Sequence, residues 1–181
     1  AIGGGGIEFI SLGELGIDAY VEETGATHEE NAELKARFFY SKTGLPTIGE
    51  DSGIYVDALP DELGVKTRRF RGKEKASDEE WIEHFLKEMK NVPDKKRTAR
   101  FVSHITYVDD SGASHHFHGE TDGVITKTIE APLRPGVPLS SCFRPDGFDL
   151  VYAALSTDQK SRISHRGKAA TALVRFLQVN R

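Results

Sequence analysis

The chain has little cysteine, no long apolar run and little net charge, and each shortage excludes a class of protein. Cys142 is the single cysteine among 181 residues, so no disulfide can form within the chain, which is typical of a reducing compartment. No apolar run approaches the roughly 20 residues that a membrane-spanning helix needs. Residues 1–6 have neither the basic region nor the apolar stretch of a signal peptide. These absences predict a cytoplasmic protein with no membrane partner.

A basic surplus is also absent, since the formal net charge is −4. Dedicated nucleic-acid binders usually carry such a surplus, so the sequence predicts no nucleic-acid partner. Hydrophobic residues make up 38% and charged residues 29% of the chain, which is ordinary for a globular protein. No repeat or linker divides the sequence. We therefore expect a single α/β domain over residues 1–181, with room for two lobes around a cleft.

Local signals predict the secondary structure. Capping boxes at residues 27–30 and 77–80 predict the starts of two helices, and the first runs to about Lys42 with Gly44 as its stop. Ser164 is predicted to begin a last helix. The four prolines of residues 132–145 predict a loop. Extended patterns predict strands at residues 7–11, 46–48, 54–56, 98–108 and 114–126.

The first predicted helix carries a lysine in an unusual place. Asn31 and Lys35, one turn apart, lie within its apolar arc rather than on its solvated side. An ammonium that faces an interior is costly unless it is paired. Lys35 either extends to reach water or faces a cleft and holds a phosphate. The apolar arc consists of Ala32, Leu34, Ala36, Phe38 and Phe39.

Two pairs of adjacent acids are candidates for a metal site. Like charges side by side are tolerated in open water or around a cation. Glu22 and Glu23 alone are typical of a solvated loop. Glu50 and Asp51 follow an apolar strand and precede another, which suits the end of a core strand. Carboxylates there can hold Mg²⁺, which binds one or two of them with substrate phosphates and activates a water.

The third candidate is a basic helix start. His165, Arg166 and Lys168 follow Ser164 in the first turn of the last helix, where cations oppose the helix dipole at about 0.3–1 kcal/mol each. A helix N-terminus offers free N–H groups to an anion, so these residues favour a phosphate site, which Lys160 lies near enough to join. An ordinary basic helix start is the alternative interpretation.

Two further patterns carry weaker signals. His115, His116 and His118 alternate along a predicted strand, so only His116 and His118 share a face, and a solvated face is favoured over a metal site. A basic run offers contacts to phosphate or RNA, although a solvated loop is the favoured interpretation. That run consists of Arg68, Arg69, Arg71, Lys73 and Lys75.

Together, these segments resemble the inosine triphosphate pyrophosphatase family, enzymes that remove aberrant purine nucleoside triphosphates. Several independent motifs carry the resemblance, and they keep the family's order and spacing over residues 7–178. The matching stretches are residues 22–27, Asn31-Ala32 with Lys35-Ala36, residues 50–53 with 56–59, residues 64–65 with Arg69, Phe70 and Gly72, and residues 164–169.

The resemblance implies a mixed α/β fold with an elongated central sheet flanked by helices, two lobes around a nucleotide-binding cleft, and usually a homodimer. It implies Mg²⁺-dependent attack of water on the α-phosphorus of ITP, dITP or XTP, which gives a nucleoside monophosphate and pyrophosphate. By motif, Asp51 and Glu23 are the catalytic candidates, and Glu23, Glu50 and Asp51 are the metal ligands. The substrate-binding candidates are Lys35, Asn31, Ser52, Gly53, Lys160, Ser164, His165 and Arg166.

The chain departs from the family pattern in two places. Nothing in it corresponds to the family's first strand and the phosphate-binding Thr-Gly-Asn loop that follows, so we expect the sequence to lack its native beginning. In the base pocket, Val137 stands where the family has a stacking aromatic, and Ser140 stands where it has an acid. An aromatic stack contributes about 1–3 kcal/mol per base. The second departure therefore predicts an altered or relaxed base preference.

Two rival interpretations stay open. The departures fit a nucleotide-binding sensor that has lost efficient catalysis, against which the intact Glu23, Lys35 and Asp51 argue. The other rival is an RNA-binding module that uses the basic run of residues 68–75. The acidic net charge of −4 argues against that module.

Overall fold

A computed structural model describes residues 7–60, 62–72 and 76–180, without the side chains of Arg68, Arg69, Arg71 and Gly72. Its α-helices are α1 (His28–Thr43), α2 (Asp78–Glu88), α3 (Thr157–Ile163) and α4 (His165–Val179). Its strands are β1 (Thr47–Val56), β2 (Thr98–Val108), β3 (Ser114–Ile125) and β4 (Phe143–Pro145). Short 3₁₀ segments occupy Gly64–Gly72, Met89–Asn91, Asp94–Lys96, Pro138–Ser141 and Tyr152–Ala154. None of the described helices is long and apolar enough to cross a bilayer.

The helices begin and end where their capping residues predict. The Thr27 hydroxyl accepts a hydrogen bond from the Glu30 N–H at 3.1 Å and starts α1, and Gly44 ends α1 in the left-handed conformation with a φ of 65°. Ser77 and Glu80 form a reciprocal capping box at the start of α2. The predicted starts of both helices and the end of α1 are confirmed, because a cap depends only on residues close together in the sequence. The box at residues 27–30 is incomplete, since the Glu30 carboxylate accepts from the Ala26 N–H at 2.6 Å rather than from the Thr27 N–H.

The described strands form one antiparallel sheet in the order β1-β2-β3-β4. β1 runs unbroken through the acidic pair, so the two short strands predicted on either side of that pair are one strand. The register sets Asp51 of β1 opposite His104 of β2, and His104 opposite His118 of β3. The predicted α/β class, with a central sheet flanked by helices, is confirmed.

The two faces of the sheet are covered by different helices. On one face α1 packs so closely that a β-carbon on Gly49 would clash with the Ala32 carbonyl oxygen. On the other face α4 packs onto β3, and a β-carbon on Gly119 would clash with the His165 carbonyl oxygen. Glycine at each position lets a helix backbone touch the sheet. Because successive strand residues point to opposite faces, neighbours on β1 face different helices.

Two groups of buried apolar side chains lie toward opposite ends of the long strands. The smaller group packs α4 onto β2. The larger group gathers around α2 and the last residues of β1, and its bulkiest members are Phe70, Trp81, Phe85 and Phe143. A cleft opens between the larger group and the start of α4.

Two expectations about secondary structure are wrong. Residues 7–11 form no strand, and the segment turns back on itself after Ser11, with the Ile17 N–H bonded to the Leu12 carbonyl oxygen at 2.9 Å. A β-prone run becomes a strand only where another strand pairs with it, and none of the described strands does so. Residues 132–145 also contain a 3₁₀ turn and β4, because β4 lies at the sheet edge, where Pro145 interrupts no ladder.

The apolar arc of α1 is narrower than the helical wheel predicts. Leu34 is 39% exposed, whereas His28, Asn31, Ala32 and Ala36 form the buried stripe. The stripe consists of small and polar residues because Gly49 of β1 admits the helix backbone itself. Close backbone approach therefore replaces side-chain packing on this face.

A buried arginine ties the start of β2 to the end of β3. Arg97 is 3% exposed, and its guanidinium donates to the carbonyl oxygens of Met89, Ile125 and Thr126, each at 2.7 Å. A buried charge is stable only when its donors are satisfied, and here backbone oxygens satisfy them. Arg97, which precedes β2, thus joins the 3₁₀ segment after α2 to the end of β3.

Replacing Arg97 with methionine leaves those buried carbonyl oxygens without a donor. Each such group costs about 1–3 kcal/mol, so we expect Arg97→Met to lower the free energy of unfolding by about 3–5 kcal/mol, measured by urea denaturation. Lys95→Met, an exposed change two residues earlier, is the matched control and should change stability by about 0.5 kcal/mol or less. Equal stability of the two variants would contradict the role of Arg97.

Candidate functional site

A lysine and two acids meet on the α1 side of the sheet. The Lys35 ammonium donates to Asp51 Oδ1 at 2.8 Å and to Glu23 Oε1 at 2.9 Å. The Lys35 side chain is 22% exposed and the Asp51 side chain 11%. Lys35 therefore faces a partly buried pair of carboxylates, which excludes the interpretation that it simply extends into water.

Lys35 and Asp51 stabilise each other's charge. Burial by itself raises the pKa of Asp51, but hydrogen bonds from His28 and Lys35 outweigh burial and hold that pKa below its ordinary value. Burial by itself lowers the pKa of Lys35, but hydrogen bonds to Asp51 and Glu23 outweigh it and hold that pKa above its ordinary value. Both side chains are therefore charged at neutral pH.

Glu50 points to the opposite face of the sheet. Its Oε1 accepts from the Ser103 hydroxyl at 2.8 Å and from Nε of Arg166 at 3.2 Å. The Arg166 guanidinium also donates to the Ser52 hydroxyl oxygen at 2.6 Å. The structure thus does not bring Glu50 together with the other two predicted metal ligands, because adjacent strand residues face opposite sides. Its role as a metal ligand stays a prediction.

A cavity of about 310 Å³ opens beside Ser52 and Gly53, the two residues that follow Asp51 on β1. Its walls come from β1, β2, the turn Pro138–Ser141 and the start of α4. Such a volume lies at the lower end of the range for small-molecule sites. The other lining residues include Thr67, Trp81, Phe101, Val137, Leu139, Ser140, Tyr152, Ser164, His165 and Arg166. Mostly apolar and aromatic walls with a few polar groups suit a flat ring with hydrogen-bonding edges.

His165, the first residue of α4, stands in the wall of this cavity. Its ring stacks on Phe101, with centroids 5.2 Å apart and an angle of 13° between the planes. Within the described residues its Nδ1 has no hydrogen-bond partner. Burial, and then the neighbouring Arg166 charge, lowers the pKa of His165 to about 4. The imidazole is therefore neutral at pH 7.

With this geometry in view, comparison with known proteins decides the family. The sequence profile of the Ham1 family matches residues 2–176. The chain belongs to the Ham1 family. The family resemblance drawn from the motifs is thereby confirmed.

Individual Ham1 relatives agree in sequence and in structure. A dITP/XTP pyrophosphatase of Salmonella paratyphi A is 38% identical over 175 residues, which make up 96% of this chain and 87% of the relative. The Ham1 protein of Staphylococcus aureus has a TM-score of 0.84 and 35% identity, covering 95% of this chain and 87% of that one. A HAM1 protein from Coxiella burnetii has a TM-score of 0.84 and 32% identity, covering 96% and 87%.

Two predicted substrate-binding residues of this Ham1 family member make contacts within the protein. Asn31 is fully buried, and its Oδ1 accepts from the Gly25 N–H at 2.8 Å, which fastens the loop that carries Glu23. The Lys160 ammonium donates to a backbone carbonyl oxygen at 3.1 Å and lies 5.9 Å from the Tyr152 ring centroid. Neither residue is among those that line the cavity, and contact with substrate stays a prediction for both.

The two departures from the family's base pocket both lie in the cavity wall. Val137 is 40% exposed, and Ser140 is buried with its hydroxyl donating to the Val137 carbonyl oxygen at 2.7 Å. The hydroxyl hydrogen of Ser140 is therefore engaged, and only its oxygen lone pairs remain for a ligand. At these positions this Ham1 chain offers neither a stacking ring nor a carboxylate.

Sequence reasoning missed His28 and the aromatic walls of the cavity. His28 is 2% exposed, and its Nδ1 lies 2.6 Å from Asp51 Oδ2. Helical spacing offered a signal, since His28 precedes Asn31 by three residues and Ala32 by four and so shares their stripe. No comparable local signal marks Phe101, which joins the site because the fold sets β2 against the start of α4.

The weaker sequence signals form no site within the described residues. His116 and His118 share a face as predicted, and His115 lies on the other face, with its ring centroid 4.5 Å from that of Phe176. No group of three or more His, Cys, Asp or Glu residues in the described ranges is arranged to hold a metal ion. The side chains of Arg68, Arg69 and Arg71, and all of Lys73 and Lys75, lie outside what the structure describes.

His165 makes the stability of the protein depend on pH. Its pKa of about 4 in the folded chain lies below the ordinary value of 6.5, so between these pH values the unfolded chain binds a proton that the folded chain does not. This contribution is present above pH 6.5 and is lost as the pH falls toward 4. At about 1.4 kcal/mol per pKa unit, the loss is at most about 3.5 kcal/mol.

We expect His165→Gln to remove that part of the pH dependence. Urea denaturation at about pH 7 and about pH 4.5 measures the change in unfolding free energy with pH, which should be smaller in this variant than in the wild type. His118→Gln, an exposed histidine on β3, is the control and should keep the wild-type dependence. The same slope in both variants would show that His165 is not held neutral by burial.

Proposed function

We propose that this protein hydrolyses non-standard purine nucleoside triphosphates, of the dITP and XTP kind, to a nucleoside monophosphate and pyrophosphate. The observation that carries the proposal is the ammonium of Lys35, which joins Glu23 to Asp51, the residue that precedes Ser52 of the cavity wall on β1. Relatives that are 35–38% identical over most of the chain bear the name dITP/XTP pyrophosphatase, which supports the same reaction here.

The two parts of the site suit the two parts of a nucleotide. The apolar and aromatic walls of the cavity suit a purine base, and the His165 ring stacked on Phe101 is part of those walls. Arg166 supplies positive charge at Ser52, and Lys35 supplies it at the preceding residue, Asp51, on the other face of β1, so each can meet the negative charge of a triphosphate. The base therefore enters the cavity, and the phosphates pass around β1, an edge strand of the described sheet, toward Lys35 on its other face.

Glu23 and Asp51 fit a magnesium ion. Carboxylate oxygens are the ligands that Mg²⁺ prefers, and it takes one or two of them together with phosphates and water. Two of their oxygens already converge on one cation, at 2.8 and 2.9 Å from the Lys35 ammonium. Two carboxylates facing a triphosphate repel it unless a divalent cation lies between them. When bound, the ion neutralises phosphate charge and lowers the pKa of a bound water.

The protein's own groups divide the remaining tasks. A carboxylate with a lowered pKa is a weak proton acceptor, so Asp51 keeps its charge and orients the attacking water rather than storing its proton. Lys35 binds phosphate oxygens as a point charge. Arg166 donates to both Ser52 and Glu50, and these bonds join the start of α4 to β1 in the cavity wall. Asn31 fixes the loop that carries Glu23.

A changed base preference is a second candidate, and the cavity wall favours it. With Val137 and Ser140, the pocket has no stacking ring and no carboxylate at these two positions, while Glu23 and Asp51 are both present. A third candidate, a sensor that binds nucleotides without efficient cleavage, is opposed by the intact contacts of Lys35 with Glu23 and Asp51. The homodimer and the cytoplasmic location that the family implies stay predictions.

Neutralising either acid of the site is expected to stop hydrolysis. With Mg²⁺ present, Glu23→Gln and Asp51→Asn should each lower kcat/KM for dITP or XTP by about 100-fold or more, since removing one preorganised electrostatic contact costs on that order. The assay quantifies monophosphate and pyrophosphate separately. Glu22→Gln changes the adjacent exposed acid and is the matched control, expected to stay within about threefold of wild type.

The same assay separates the candidates. A panel of inosine, deoxyinosine, xanthosine, guanosine, adenosine, cytidine and uridine triphosphates reports the base preference. If the wild type binds nucleotides but does not cleave them, the protein is a sensor rather than an enzyme. Cleavage that persists in Asp51→Asn would place the chemistry elsewhere.

Restoring an aromatic ring to the pocket should tighten purine binding. A stacked base gains about 1–3 kcal/mol, so Val137→Phe is expected to lower KM for purine triphosphates by at least about fivefold. Val137 is 40% exposed in the cavity wall, which leaves room for the ring. Val179→Phe, at an 82% exposed position near the end of α4, is the matched control and should not change KM. An unchanged KM in both variants would show that Val137 does not face the base.

A further inference from the structure

The buried imidazole of His28 is the least expected part of the acidic site. His28 is 2% exposed, and its Nδ1 lies 2.6 Å from Asp51 Oδ2, while Lys35 occupies Asp51 Oδ1 at 2.8 Å. Each oxygen of this carboxylate thus has its own partner. An ionised carboxylate only accepts hydrogen bonds, so Nδ1 of His28 carries the hydrogen.

The neighbours of His28 fix the position of its ring. A β-carbon on Gly53 would come within 2.7 Å of the Cε1 and Nε2 atoms of His28, so the ring fills the space that a glycine vacates on β1. Tyr55 meets the ring edge-on, with centroids 5.8 Å apart, and His104 stacks on it at 6.4 Å. The ring is held by the strand, by two aromatic neighbours and by its place as the first residue of α1.

The bond of His28 to a carboxylate sets it apart from an ordinary core histidine. Its other nitrogen, Nε2, has no hydrogen-bond partner among the described residues, so Asp51 is the polar group that this ring contacts. The terminal torsion of an aspartate is broad and roughly two-fold, so the side chain alone does not choose which oxygen faces which way. The His28 N–H donor, fixed at Oδ2, sets the orientation of the Asp51 carboxylate.

We propose that His28 is a positioning residue for Asp51: it holds Oδ2 so that Oδ1 faces Lys35, Glu23 and the incoming phosphates. The inference rests on the proposed function, since it concerns how Asp51 is set for that reaction. It assigns His28 no contact with substrate. Groups that orient a functional carboxylate or ligand typically contribute 10–100-fold to activity.

Two variants of His28 separate positioning from packing. His28→Phe keeps a ring of similar size in the space beside Gly53 but removes the donor, and His28→Asn keeps a donor close to the position of Nδ1. We expect His28→Phe to lower kcat for dITP or XTP by about 10–100-fold with KM changed by less than about threefold. His28→Asn should recover most of that loss. His104→Phe, which changes the next ring in the stack, is the control and should leave kcat near wild type.

A readout without substrate tests the contact itself. In ¹⁵N-histidine-labelled protein, the two ring nitrogens of His28 should show the Nδ1–H form, and their signals should shift in Asp51→Asn but not in Glu22→Gln. Circular dichroism and thermal unfolding establish that each variant is folded. Wild-type kcat in a folded His28→Phe variant, or ring signals that do not respond to Asp51→Asn, would overturn the positioning role and leave the proposed function standing. A wild-type protein that cleaves no triphosphate would overturn the proposed function instead, and the kinetic role of His28 with it.

Discussion

The site depends on the alternation of side chains along β1. Asp51 faces α1, where Lys35 and His28 meet it, while Glu50 faces the start of α4, where Arg166 meets it. β1 thus places one carboxylate on each side of the sheet. Each carboxylate pairs with a cation from a different helix. Both helices come close enough because glycines on β1 and β3 admit their backbones. A shift of one residue in register would exchange the two faces and separate every one of these pairs.

Electrostatics explains why such a cluster of charge is stable without a bound nucleotide. Burial opposes the charges of Lys35 and Asp51, and the hydrogen bonds between them outweigh it. The same bonds keep the carboxylates of Asp51 and Glu23 turned toward one point. Beside them, the apolar cavity keeps His165 neutral. On β1 the carboxylate of Asp51 and the cavity wall at Ser52 are thus adjacent in sequence, although the two side chains face opposite sides of the sheet.

Local sequence signals predicted the elements well and their assembly poorly. The caps at Thr27, Ser77 and Ser164 are where the sequence places them, because a cap involves residues three apart. The strand predicted at residues 7–11 is absent, because a strand requires a partner that no local pattern reveals. For the same reason Phe101 was missed as a wall of the cavity, since it belongs to β2 and meets His165 only through packing.

By itself, the sequence determined the family, the capped helices and the candidates Glu23, Lys35, Asp51 and Arg166, because motif spacing and helical periodicity are properties of one chain segment at a time. Tertiary structure alone decided which of these candidates meet. Glu50 and Asp51 face opposite sides of the sheet, and Asn31 binds the N–H of Gly25. His28 contacts the carboxylate of Asp51. These contacts join residues that are far apart in the sequence: Lys35 and Glu23 are 12 positions apart, and Arg166 and Glu50 are 116 apart. The physical reason is that strand register and helix packing create such contacts, and no short window of residues contains that information.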